Sequence, residues 1–107
     1  MRRGEIWTVS ASAYEGKPRP AVIVQSDRFD ATASITICAF TTNPAEAPFA
    51  RLEIMPTRQN GLHAASRLMV DKITTIAKDK LGDQIGELAT EDVARLNRAM
   101  MVFLGLV

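Results

Sequence analysis

Apolar residues recur at helical spacing in one segment of this chain, near its C-terminus, and everything before that segment is broken into short runs. Val93, Leu96, Met100, Phe103 and Leu104 share one face of a helix that Gly105 stops. Thr90 stands where a side-chain cap belongs, and Glu91 and Asp92 in the first turn suit the positive end of the helix dipole. The expectation is a helix whose apolar face packs on a sheet.

The sheet is supplied by the preceding residues. Glu5-Ile6-Trp7-Thr8-Val9 reads as a first strand, with Trp7 and Val9 on one face. After a small-residue loop punctuated by Gly16 and Pro18, Ala21-Val22-Ile23-Val24 is a continuous apolar run of the kind that forms a strand buried on both faces. Ser34 to Phe40 gives a third strand, which the Thr41-Thr42-Asn43-Pro44 break ends. Arg51 to Met55 gives a fourth, followed by a turn region with Pro56 and Asn60-Gly61. Leu68 to Ile73 gives a fifth, and Gln84 to Leu88 a short last one before the helix. The fold class is therefore mainly β with one helix, α+β in order β-then-α, and 107 residues suit one domain spanning 1–107.

Composition narrows the function. Thirteen basic residues against twelve acidic ones give no global attraction for nucleic acid, so any such binding rests on a local patch. The first twenty residues carry Arg2, Arg3, Lys17 and Arg19 against Glu5 and Glu15, whereas residues 83–92 carry Asp83, Glu87, Glu91 and Asp92 with no base. Cys38 is the single cysteine, which excludes an internal disulfide and a cysteine zinc cage; within an apolar run it reads as a core residue. No stretch approaches the length of a membrane span, and Met1-Arg2-Arg3-Gly4-Glu5 lacks the apolar run of a secretory signal, so a cytoplasmic location is expected.

Few residues are arranged for chemistry. His63 is the one histidine and has no carboxylates at ligand-like spacing, so no metal is expected; next to Asn60-Gly61 it reads as an exposed loop residue. Phosphate-cradling loops, dinucleotide fingerprints and nucleophile elbows are absent. Arg19 differs, because Pro18 before it and Pro20 after it restrict the backbone on both sides. A permanently charged group with five donors, fixed at the entrance of a strand, suits a phosphate or the phosphorane of a phosphoryl transfer. On the two prolines alone, a surface arginine in a turn is the favoured reading.

The linear order of motifs is more specific. Arg3-Gly4-Glu5-Ile6-Trp7, then Arg19-Pro20 opening the run to Asp27, then Thr41-Thr42, Gly61-Leu62, Ser66, Asp71-Lys72-Ile73 and the C-terminal helix together resemble the MazF/PemK toxin family over nearly the whole chain. The resemblance implies an SH3-like small β-barrel with a C-terminal helix, shared with CcdB-like proteins. It also implies the toxin of a type II toxin–antitoxin pair: a homodimeric endoribonuclease that cuts single-stranded mRNA at short motifs, without metal, cofactor or ribosome. A cognate MazE/PemI-type antitoxin would inhibit it. Carried onto this chain, the family's catalytic arginine falls on Arg19, its catalytic threonine on Thr41, and an acidic residue of the first loop on Glu15. Lys17, Thr42, Asp71 and Lys72 fall at RNA-binding positions, Lys72 replacing the glutamine usual after that aspartate. Tyr14 and Phe49 are either stacking partners for bases or packing residues.

The chemistry so implied is attack of the RNA's own 2′-hydroxyl on the neighbouring phosphate, leaving a 2′,3′-cyclic phosphate and a 5′-hydroxyl. An alternative is the gyrase-inhibiting CcdB-like branch of the same fold, which cleaves nothing and which Val24-Gln25-Ser26-Asp27 also resembles. Its members depend on an aromatic-glycine-isoleucine ending, whereas this chain ends Phe103-Leu104-Gly105-Leu106-Val107. A non-catalytic adaptor with a peptide groove is a third reading.

Overall fold

The computed structural model describes residues 1–10, 17–43 and 50–107. The strands are β1 (Glu5–Val9), β2 (Arg19–Ile23), β3 (Ser34–Thr41), β4 (Arg51–Ile54), β5 (Ser66–Met69), β6 (Thr74–Ala77) and β7 (Leu81–Glu87), followed by the helix α1 (Thr90–Phe103). They form one antiparallel sheet in the order β4-β5-β3-β2-β1-β7, with β6 also paired to β3. Among the described residues the ladder does not close, and the mainly β, small-barrel-like architecture with a C-terminal helix is the expected one.

Why β2 and β3 read as continuous apolar runs is visible in the core. Side chains alternate across a strand, and here both faces are covered. Val22, Cys38, Phe40 and Leu68 pack on one side with Leu96 of α1, while Ala21, Ile23, Ile35, Ile37 and Ala39 pack on the other with Val9. Cys38 lies inside the first cluster with no exposed surface, and burial, aided by the charge of Asp71, pushes its thiol pKa up to about 12. It is an inert core residue.

The Arg3-Gly4-Glu5-Ile6-Trp7 motif turns out to be scaffold. Arg3 Nε donates to the Val24 carbonyl at 2.8 Å, and Gly4 N donates to the Ile23 carbonyl at 2.8 Å. Gly4 adopts φ +93°, a conformation that disfavours side chains, and its carbonyl accepts from Leu88 N at 2.9 Å. Glu5 Oε1 accepts from the Trp7 indole at 2.9 Å. The motif ties the start of β1 to the end of β2 and to the residue leading into α1.

The loop between β4 and β5 is equally determined. Buried Asn60 accepts at Oδ1 from Thr57 N (2.9 Å) and Leu62 N (3.0 Å) and donates through Nδ2 to the Met55 carbonyl (2.8 Å). Gly61 has φ +70°, and a Cβ there would sit 2.1 Å from the Ile85 carbonyl oxygen; one on Gly86 would sit 2.4 Å from the Asn60 and Gln59 carbonyl oxygens. The loop thus lies backbone against backbone on β7.

Three expectations need correction. The run from Leu68 to Ile73 is not one strand: β5 ends at Met69, a 3-10 turn occupies Val70–Lys72, and β6 follows. The step is required because β5 and β6 pair with different halves of β3, at Phe40–Thr41 and Ser34–Ile37 respectively. Thr90 does not cap α1; Ala89 holds that position with no side-chain bond, and its carbonyl accepts from Asp92 N and Val93 N at 3.0 Å. The apolar face is also shorter than its spacing implies. Leu96 is buried and Val93 and Met100 pack against the core, but Phe103 and Leu104 are 49% and 55% exposed. The helix rests on β4 and on the 3-10 turn, and the apolar side chains of its last turn are left largely exposed. Among the described residues no helix is long and apolar enough to cross a membrane.

Candidate active site

Antiparallel pairing brings the start of β2 to the end of β3. Their register pairs Ile23 with Ile37, Val22 with Cys38 and Ala21 with Ala39, and continuing that count sets Arg19 level with Thr41. On the far side of β3, Thr41 pairs with Arg67, which brings the first residues of β5 to the same place. Sequence-distant residues from three strands therefore meet at one end of the sheet.

A cavity of about 470 Å³ opens there. Lys17, Pro18, Arg19 and Pro20 form one wall, and Phe40, Thr41, Thr42 and Ser66 form the rest. Pro20 lies opposite Thr8 and Arg19 opposite Val9 of β1, so Arg19 leaves the sheet at a defined point, with Pro18 just before the strand. Arg19 is exposed, and among the described residues its guanidinium meets no carboxylate. Among the described residues the charged groups of the lining are Lys17 and Arg19, both positive, which suits the cavity to an anion.

Thr41 is 8% exposed, and its Oγ1 accepts from Asn43 N at 3.1 Å. That bond orients the hydroxyl and leaves its proton free to be donated. Ser66, 5% exposed, donates from Oγ to the Ala64 carbonyl at 2.9 Å. Phe40 provides an apolar floor that belongs to the core. The sequence carries Ser66 within the motif series without a role and leaves Phe40 among the strand residues; only the pairing of β3 with β5 shows that both reach the cavity.

Of the residues assigned to the site from the sequence, Arg19, Thr41, Lys17 and Thr42 line this cavity together. Asp71 and Lys72 do not; they lie in the 3-10 turn, past the Arg67 that faces Thr41. There Asp71 accepts from Arg51 Nε at 2.9 Å and Nη2 at 3.2 Å, and the hydrogen-bonded guanidinium holds its carboxyl below the usual carboxylate range. Glu15, Tyr14 and Phe49 lie outside the described residues. His63 is an exposed loop residue, and among the described residues no three His, Cys, Asp or Glu side chains gather as a metal cage needs.

Comparison with known proteins identifies the family and the fold. Residues 2–104 match the family described as PemK-like, MazF-like toxins of type II toxin-antitoxin systems. The chain is 51% identical over 107 residues to a probable endoribonuclease MazF of Mycolicibacterium smegmatis, covering 99% of this chain and 98% of that one. It is 34% identical over 117 residues to endoribonuclease MazF9 of Mycobacterium tuberculosis, covering 99% and 98%. Among solved structures, a mycobacterial endoribonuclease in complex with its cognate antitoxin superposes with a TM-score of 0.82 at 24% identity, covering 100% of this chain and 97% of that one. With the motif order, the fold and the match along nearly its whole length in agreement, the chain belongs to the family of PemK-like, MazF-like toxins of type II toxin-antitoxin systems.

Proposed function

We propose that this toxin is an endoribonuclease whose cavity at the end of β2 and β3 holds the scissile phosphate of single-stranded RNA. The observation that carries the reading is that the Arg19 guanidinium, free of any carboxylate among the described residues, lines one cavity with the oriented Thr41 hydroxyl. In the reaction the 2′-oxygen bonds to phosphorus as the bond from phosphorus to the 5′-oxygen breaks. The 2′-hydroxyl proton passes to an acceptor, for which Glu15 is the sequence's candidate, and the departing 5′-oxygen takes up a proton. Arg19 and Lys17 stabilise the charge that builds on the phosphate oxygens, and Thr41 donates a hydrogen bond to one of them. Thr42 extends the contact along the chain, and Asp71 with Lys72 act further out. Because the nucleophile comes from the RNA itself, the scheme needs no metal-activated water.

The mycobacterial endoribonuclease in complex with its cognate antitoxin supports an antitoxin as the partner here, and a homodimer is what the family resemblance implies. Exposed Val102, Phe103, Leu104 and Leu106 give the C-terminus apolar surface for assembly. The proposal is tested by incubating the purified protein with a long RNA in chelator. Motif-specific cuts ending in 2′,3′-cyclic phosphate support it, whereas intact RNA with inhibited gyrase points to the other branch of the fold.

A further inference from the structure

A second cavity, of about 340 Å³, adjoins the first and shares Pro18, Pro20, Thr42 and Ser66 with it. Its remaining walls are Thr8, Gly61, Leu62, His63, Ala64 and Ile85. Among the described residues of its lining there is no Lys, Arg, Asp or Glu, so this space does not attract a phosphate as its neighbour does. Its surfaces are those that receive a flat, partly polar ring: aliphatic and proline walls, hydroxyls at Thr8, Thr42 and Ser66, and one aromatic face at His63.

The position of His63 is set by the fold. Asn60 closes its loop with three side-chain hydrogen bonds, and Gly61 and Gly86 allow the loop to lie directly on β7. Glu87 N donates to the Gln59 carbonyl at 3.0 Å, adding a further tie. On the other side, Ser66 bonds the Ala64 carbonyl. The residues either side of His63 are thus held at both ends, and the cavity exists before any ligand arrives.

We propose that this second cavity is a base-binding subsite for a nucleotide adjacent to the scissile phosphate, with the His63 imidazole as its specificity-determining face. The inference rests on the endoribonuclease reading for the phosphate but turns on His63, which does not line the phosphate cavity. A phosphate seated against Arg19 leaves the neighbouring base to fill the space bounded by Pro18, Leu62, His63 and Ile85. There it stacks on the imidazole or hydrogen-bonds to it, and base stacking of this kind tolerates or selects bases according to the polar groups around it.

Two measurements test the subsite. Wild-type protein, His63→Ala and, as a control on the same loop outside both cavities, Arg58→Ala are each given a random-sequence RNA pool, and the cut sites are sequenced. His63→Ala is expected to lower discrimination among bases at one position beside the cut by roughly tenfold, with melting temperature unchanged and Arg58→Ala behaving as wild type. An unaltered motif and rate in His63→Ala would overturn the proposal. In the second measurement the probe is a pentanucleotide RNA with methylated 2′-oxygens, which cannot be cut by 2′-oxygen attack. Since His63 is the only histidine, its imidazole proton resonances are unambiguous, and they should shift on titration. Resonances that stay fixed while the RNA binds elsewhere would overturn the subsite. Shifted resonances without any cleavage of ordinary RNA would uphold base binding at His63 while refuting the nuclease reading and, with it, the placement beside a scissile phosphate.

Discussion

Arg51 and Asp71 form a two-pronged ion pair, Nε to Oδ1 at 2.9 Å and Nη2 to Oδ2 at 3.2 Å, that joins the start of β4 to the 3-10 turn after β5. The pair is half-buried, with side chains 13% and 22% exposed, and it lies off the cavity that holds Arg19. Because Arg51 donates two hydrogen bonds to it, the folded-state pKa of Asp71 lies below its unfolded value. Its stabilisation is therefore complete above the unfolded carboxylate value of about 3.9 and is lost as pH falls through the lower folded value. Asp71→Asn should destabilise the protein by about 1 kcal/mol at pH 7. Chemical denaturation at pH 7 and in strong acid checks this, the difference between the two proteins shrinking in acid.

Arg19→Ala should lower RNA cleavage by about a hundredfold or more, the usual cost of removing one group that stabilises developing charge. Arg19 is exposed and joins no ion pair among the described residues, so the melting temperature should stay within about a degree or two of wild type. Thr41→Val keeps shape at a nearly buried site while removing the hydroxyl, and it should lower the rate about tenfold. Single-turnover cleavage of a defined RNA, alongside thermal melting, separates the two effects.

Gly61→Ala should be severe. A methyl group there would meet the Ile85 carbonyl oxygen at 2.1 Å, and the +70° φ angle is itself unfavourable for alanine. A loss of about 2–4 kcal/mol in folding stability is expected, and unfolding in urea measures it.

The two ends of α1 should respond unequally. Leu96→Ala empties a fully enclosed position in the main core and should cost about 2–5 kcal/mol. Phe103→Ser, at a half-exposed position beyond the sheet, should change the stability of the single chain by less than about 1 kcal/mol. Denaturation at low protein concentration makes the comparison.

Much of the sheet was legible because its strands carry strong, uninterrupted signals. Glu5 to Val9 is β1 as read, and the apolar runs at Ala21–Val24 and Ser34–Phe40 lie on β2 and β3 with ends displaced by a few residues. Strand β6 was missed because Thr74-Thr75-Ile76-Ala77 buries none of its side chains fully and leaves no apolar pattern to read. The helix face was overextended because spacing reports which residues are aligned, and says nothing about where the supporting surface ends. Arg19 and Thr41 stood out through the prolines and the motif order. Ser66 and the His63 cavity did not, because they reach the site through the pairing of β5 with β3 and the seating of the Asn60 loop on β7, relations between residues far apart in the chain.

The central claim is that Arg19 and Thr41 serve a cleavage whose nucleophile is the RNA's own 2′-hydroxyl. The most direct test is a pair of otherwise identical short RNAs containing the mapped motif, one carrying deoxyribose at the nucleotide before the cut, incubated with wild-type protein in chelator. The account predicts that the all-ribose strand is cut to a 2′,3′-cyclic phosphate and a 5′-hydroxyl while the substituted strand stays intact. Cleavage of the substituted strand at the same position would contradict it.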